Sequence, residues 1–267
     1  MEYAEAIFYA VFKARERART RRLRRFERAL DKDIIKDFKK QRQSVIGEVK
    51  KLLDKKGFAY KRKVADGDIE QMLNAIDDEK MIEDIKKQSG KSMKYGAVVT
   101  IKEQKLAKVG ISFSLDHPLA SNYFNTKRSL VYAKIGETTK NKIRPILKDG
   151  LDAGDSVDTI AKELQDSFAF SKNRAIMISS NEIGHAYEEG RYIPAYDAVA
   201  EGHKVSKVWQ TVRDSRVTEA CSEYEEMGWI DLDRDFVSSE GTIDLIAPRT
   251  TNPRCRCRTS YKTKFNN

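Results

Sequence analysis

A chain of 267 residues with 40% hydrophobic and 34% charged residues is long enough to bury a real core and too apolar to be disordered by composition. No run of eighteen apolar residues offers a membrane span, and Glu2 and Glu5 break the apolar Tyr3–Phe12 stretch, which lacks the cationic flank of a signal peptide. The net charge is +10, and residues 1–60 hold nearly all of it, with 18 Lys/Arg against 9 Asp/Glu.

Residues 3–56 read as one helix. Leu23, Phe26, Leu30, Ile34 and Phe38 recur at steps of three and four, Val45, Val49 and Leu52 continue the stripe, and Gly57 is the expected stop. The tract Arg15, Arg17, Arg19, Arg21, Arg22, Arg24 and Arg25 gives this helix a dense positive face. Such a face suits a polyanion, either nucleic acid or an acidic protein surface. With no aromatic interleaving, a nucleic-acid contact would be to backbone phosphate and blind to sequence. A solvated basic face is the plainer reading of the same residues.

Helical periodicity returns over Ile69–Ile85, and Gly90 and Ser92 suggest a break. Tyr95–Ile101 and Val109–Leu115 have strand-like composition, with helix an open alternative. Asp116-His117-Pro118 demands an extended turn, with His117 a turn residue rather than a ligand. Thr138 or Thr139 is expected to cap a helix ending at Gly150. Ser156 caps the next, and Ser171 opens a third with Ala175, Ile178, Ile183, Ala186 and Tyr187 on its buried face and Pro194 limiting its length. Lys204–Val212 and Thr242–Ile246 look like strands around an acidic loop. Pro248 and Pro253 then bracket the loop that carries Cys255 and Cys257. The fold class expected is α+β, a mostly helical body with a small C-terminal α+β module. Its divisions are a basic arm (1–60), a connecting region (61–135) and a C-terminal domain (136–267).

All three cysteines, Cys221, Cys255 and Cys257, lie in the last fifty residues. A Cys-x-Cys opposite a third cysteine suggests two distant strands or loops held together by sulfur chemistry. Three readings stay open: a zinc site with Asp214 as candidate fourth ligand, thiols packed as small apolar groups, or a disulfide. Asp214 and Arg216 are placed to cap a turn and bridge to a neighbouring loop, with Glu182 a candidate partner of Arg216 or Arg256. Trp209 is expected in the small core. No phosphate-cradling loop, nucleophile elbow or HExxH motif is present, so nothing recommends an enzyme.

One ordered set of motifs is more specific. Gly150-Leu-Asp-Ala-Gly154-Asp-Ser156 precedes a helix containing Asn181-Glu182 and running to Gly190. Trp209-x-Thr211-x-x-Asp214-x-Arg216-Val217 follows, and then Pro253-x-Cys255-Arg256-Cys257. This order resembles the Mu F-like head morphogenesis (minor head) proteins of tailed bacteriophages, over roughly residues 105–260. The resemblance implies a low-copy, non-enzymatic capsid component inside the virion head. It implies portal, scaffold or major capsid protein as partners, possible contact with phage DNA, and no membrane or small-molecule substrate. Relatives commonly carry further Cys or His positions in these motifs. Thr218 and Asn252 stand at two of them here, which leaves three sulfur ligands. A stand-alone nucleic-acid-binding protein acting through residues 1–60 is the alternative function.

Overall fold

The computed structural model describes residues 2–56, 64–248, 252 and 255–266, with the side chains of residues 2–19 and of Leu130 outside the description. Helix α1 (Glu2–Lys56) is the long basic helix expected, and Leu23, Leu30, Ile34, Phe38, Val45 and Val49 are buried along its stripe. Its expected stop, Gly57, lies outside the described residues. The chain groups into two compact units, one of residues 29–86 and 124–179, the other of residues 1–28, 87–123 and 180–267.

The unit of residues 29–86 and 124–179 is helical. Val45 and Val49 share a core with α2 (Asp66–Asn74), α5 (Ser129–Ala153) and α6 (Val157–Asp166), through Ile69, Met72, Leu73, Ile143, Leu147, Leu151, Ile160 and Leu164. Ser156 caps α6 as expected, its hydroxyl accepting the Thr159 amide at 3.1 Å. The helix before it begins earlier than its threonines suggested. Thr138 and Thr139 sit inside α5, where their hydroxyls donate back to the Lys134 and Ile135 carbonyls instead of capping. The stop is Gly154, at φ 77°, four residues beyond Gly150. Arg174 is buried here, donating to the Ile135 carbonyl at 2.7 Å and Thr139 Oγ1 at 2.9 Å, with its guanidinium over Phe38. Burial lowers its pKa to about 10, against the pull of Asp78.

The other unit is organised by residues 87–103 of α3 (Glu79–Glu103) and residues 180–200 of α7 (Lys172–Ala200). The break expected at Gly90 and Ser92 and the strand expected at Tyr95–Ile101 are both absent, because that whole stretch lies within α3. Small residues there serve a close helix crossing. Ser92 Oγ donates to the Ile183 carbonyl at 2.9 Å, Gly96 faces the Tyr187 carbonyl, and Gly190 faces the backbone of Met93. A Cβ at either glycine would overlap the opposite main chain. Val109–Leu115 is likewise not a strand; a 3-10 turn (Leu106–Val109) runs into irregular chain. His117 does stand in the extended turn before Pro118, where it caps the short α4 (Pro118–Asn122) and meets Asp197 at 3.1 Å.

Ala175, Ile178, Ile183, Ala186 and Tyr187 are all buried on α7. Pro194 does not end that helix. It removes the amide that would bond the Gly190 carbonyl, yet Ile193, Ala195 and Ala198 are fully buried around it, so packing outweighs the lost bond.

From Lys204 the chain builds the small α+β module expected. β1 (Lys204–Gln210) lies between β2 (Ile230–Asp231) and β5 (Arg258–Lys264), antiparallel to both. β3 (Phe236–Val237) pairs with β4 (Ile243–Asp244), and α8 (Glu219–Glu226) follows the turn after β1. The strand expected over Thr242–Ile246 is thus only two residues long. Among the described residues no helix is long and apolar enough to cross a membrane.

The α3–α7 crossing gives a paired test. Gly190→Ala should cost more than about 2 kcal/mol by forcing two backbones apart. Gly47→Ala on α1, with nothing within 4 Å of the new methyl, should be neutral or stabilise by up to about 1 kcal/mol. Urea unfolding followed by far-ultraviolet circular dichroism reads both.

Candidate functional site

Alternation along β1 puts Val205, Lys207 and Trp209 on one buried face. Trp209 is fully buried and anchors an aromatic cluster, edge-on to Tyr224 at 4.8 Å and to Phe236 at 5.3 Å between ring centroids. Tyr224 comes from α8, and its hydroxyl meets Asp244 at 3.1 Å and Thr242 at 2.9 Å. Cys221 and Cys257 belong to the same core, with Cys255, Val217 and Met227 at its margin.

The three sulfurs converge, all lying within 4.8 Å of one another, with Cys221 and Cys255 at 3.9 Å. They are free thiols, not a disulfide. Cys221 does not come from a strand or loop. It sits on α8, three residues before Tyr224, so one helical face delivers both side chains to the core. Cys255 and Cys257 lie two apart in the segment leading into β5, where the Cys255 amide closes a turn on the Asn252 carbonyl at 3.0 Å and the intervening Arg256 is exposed. Pro253 and Arg254 lie outside the described residues. The neighbouring sulfurs, then burial, raise the Cys257 pKa, so without a cation this thiol stays protonated.

Asp214, the carboxylate considered as a fourth ligand, is engaged elsewhere. It accepts from the Arg256 guanidinium at 2.7 Å, and from the Arg216 guanidinium at 3.2 Å and amide at 3.1 Å. Arg256 first, then Arg216, holds its carboxyl far below the usual range. Among the described residues, the only group of His, Cys, Asp or Glu placed to share an ion is the three cysteines. Asp214 therefore works as a clamp: it closes the turn after β1 onto its own Arg216 and ties it to the cysteine loop through Arg256. The bonds of both guanidiniums run to Asp214, and Glu182 is buried on α7. Thr211, in the same motif, donates to Glu225 of α8 at 2.7 Å, and Arg213 takes a left-handed φ of 52° as the chain turns. Gly190 is the glycine of the α3–α7 crossing. The motif residues thus have structural employment. Of the basic tract, Arg21, Arg22, Arg24 and Arg25 are exposed, and the side chains of Arg15, Arg17 and Arg19 lie outside the described residues.

Residues 141–260 match the family described as Phage Mu protein F like protein. This span is similar to the Mu F-like family. It starts within α5, takes in α6, α7, β1 and α8, and closes within β5. No curated protein and no solved structure matches the chain. The Mu F-like region thus contains Trp209, the Asp214 clamp and all three cysteines.

Lys207 is the residue of this module that its motifs do not announce. It is fully buried beneath β1, donating to the Leu245 carbonyl at 2.8 Å, with its ammonium 5.2 Å from the Phe236 ring centre. The period-two pattern Val205, Lys207, Trp209 is the signal that places it inside. Burial pulls its pKa from 10.5 down to about 8, against the pull of Asp235 and Asp233. A folded-state pKa below the unfolded one penalises the charged form, so stability rises as pH climbs from about 8 to about 10.5. Lys207→Met should lack that rise, worth up to about 3 kcal/mol in the parent. Comparing denaturant midpoints of the two proteins at pH 7 and pH 10 isolates the contribution.

Proposed function

We infer that this protein is a structural component of a tailed-phage head, acting in head morphogenesis and residing in the virion. The observation that carries this reading is the Mu F-like match over residues 141–260, a span that includes every motif residue with a structural role in the C-terminal module. The family suggests a head protein rather than an enzyme, and the motif carboxylate agrees with that. Asp214 is held ionised by two guanidiniums, which leaves it a poor general acid or base. The C-terminal module serves as a rigid docking unit beside the portal, for portal, scaffold or major capsid protein.

The N-terminal helix is the contact to a polyanion, either packaged DNA or an acidic protein surface. Arg21, Arg24, Arg25 and Arg28 are exposed around the buried Leu23, so the same turns of helix offer a packed side and a cationic side. Arg22 differs in that its guanidinium lies over the Tyr95 ring at 5.4 Å, and its charge does a packing task as well.

Mass spectrometry of purified procapsids should find the protein in a few copies per particle; recovery only as free protein would refute the head assignment. For the helix, replacing Arg21, Arg24 and Arg25 with Gln should flatten the salt dependence of binding to duplex DNA. The slope of log K against log salt should fall by up to about 3, near one unit for each phosphate that is no longer neutralised. An unchanged slope would turn the cationic face toward protein instead.

A further inference from the structure

The three sulfurs have the spacing of atoms that share an ion. Zinc–sulfur bonds of about 2.3 Å in a tetrahedron set sulfurs about 3.8 Å apart, and Cys221 and Cys255 already stand at 3.9 Å with the third sulfur within 4.8 Å of both. We propose that Cys221, Cys255 and Cys257 bind one zinc ion as thiolates, with water in the fourth position on the side of Cys255. On binding, each S–H gives its proton to solvent and each sulfur donates a pair to the metal, with no change of oxidation state.

Independent observations support this site. The indole Nε1–H of Trp209 is buried without a hydrogen-bond partner among the described residues, in the same packed core as Cys221 and Cys257. A thiol is a weak acceptor, whereas a metal-bound thiolate is a good one, and such outer donors are what orient metal ligands. Charge agrees as well. Three thiolates and a divalent ion carry one net negative charge, and Arg216 and Arg256 on Asp214 carry one net positive charge beside them. Cys255 is the partly exposed member of the three, which gives the ion its way in. No fourth protein ligand of the His, Cys, Asp or Glu type joins the group among the described residues, so the fourth position falls to solvent. The site would fasten α8 to the segment entering β5, within the core that holds Trp209. It stands whether or not the protein serves in a phage head.

The test uses the full-length chain folded with excess zinc and then desalted. Elemental analysis should return about one zinc per chain. Cobalt(II) in its place should give the intense visible bands of a tetrahedral ion with sulfur-to-cobalt charge transfer. Alkylation of Cys255 should slow at least about tenfold with zinc relative to chelator-treated protein. Cys255→Ser, at the partly exposed position, should keep the fold while losing zinc and most of the charge-transfer intensity. Folded protein without zinc, with Cys255 alkylated equally fast in zinc and in chelator, would overturn the proposal. So would a Cys221–Cys255 disulfide in protein purified under reducing conditions.

Discussion

The crossing of α3 and α7 is the constraint on which the C-terminal unit rests. Where Gly96 meets the Tyr187 carbonyl and Gly190 meets Met93, two main chains touch without side chains between them. The hydroxyl of Ser92 adds a hydrogen bond across the same crossing. Close approach of this kind fixes axial position and rotation together, because a shift of either helix would drive a side chain into the opposing backbone. The far end of α7 feeds Gly202 and then β1, and so the crossing sets where the strand begins. Buried Arg191 extends the same control, donating to the Thr259 carbonyl on β5 and pairing with Glu188 on its own helix. The Thr259 amide in turn donates to Glu188, so α7 grips the strand that closes the sheet.

Around that frame the module is assembled from side chains with two tasks each. Trp209 fills the core and packs in one cluster with Cys221 and Cys257. Tyr224 packs on the indole and ties α8 to Thr242 and Asp244. Asp214 closes its own turn and reaches the cysteine segment through Arg256. Removing any one of these would disturb two elements together, which is how a module built on one seven-residue strand pair holds its shape.

How far the sequence discloses this differs by kind of signal. The long α1, the cap at Ser156, the turn at His117 and the buried face of α7 are legible because each is written in local periodicity or a local hydrogen bond. Tyr95–Ile101 misleads because Val98, Val99 and Thr100 favour strands, while what decides there is burial of Met93 and Ala97 against α7. Gly96 and Gly190 read as weak helix positions until the opposing backbone is known, since a glycine chosen for proximity looks in sequence like one chosen for a turn. Pro145 and Pro194 sit inside helices for a similar reason: apolar burial on either side outweighs one missing bond. In the site, the convergence of the three cysteines is legible from their spacing. The helix carrying Cys221 is not, and neither is the diversion of Asp214 to two arginines, because both depend on interactions between segments far apart in the chain.

The position of β1 in the middle of its sheet has a consequence for how the protein is made. Its outer partner arrives late: the Ser260 hydroxyl that bonds Gln210 belongs to a residue 50 positions further on. Until that segment leaves the ribosome, one edge of β1 has no neighbour, and the indole beneath it lacks part of its cover. A nascent chain paused in this interval would offer a bare strand edge to any other copy emerging nearby, so completing synthesis without delay protects the fold as surely as any bond within it.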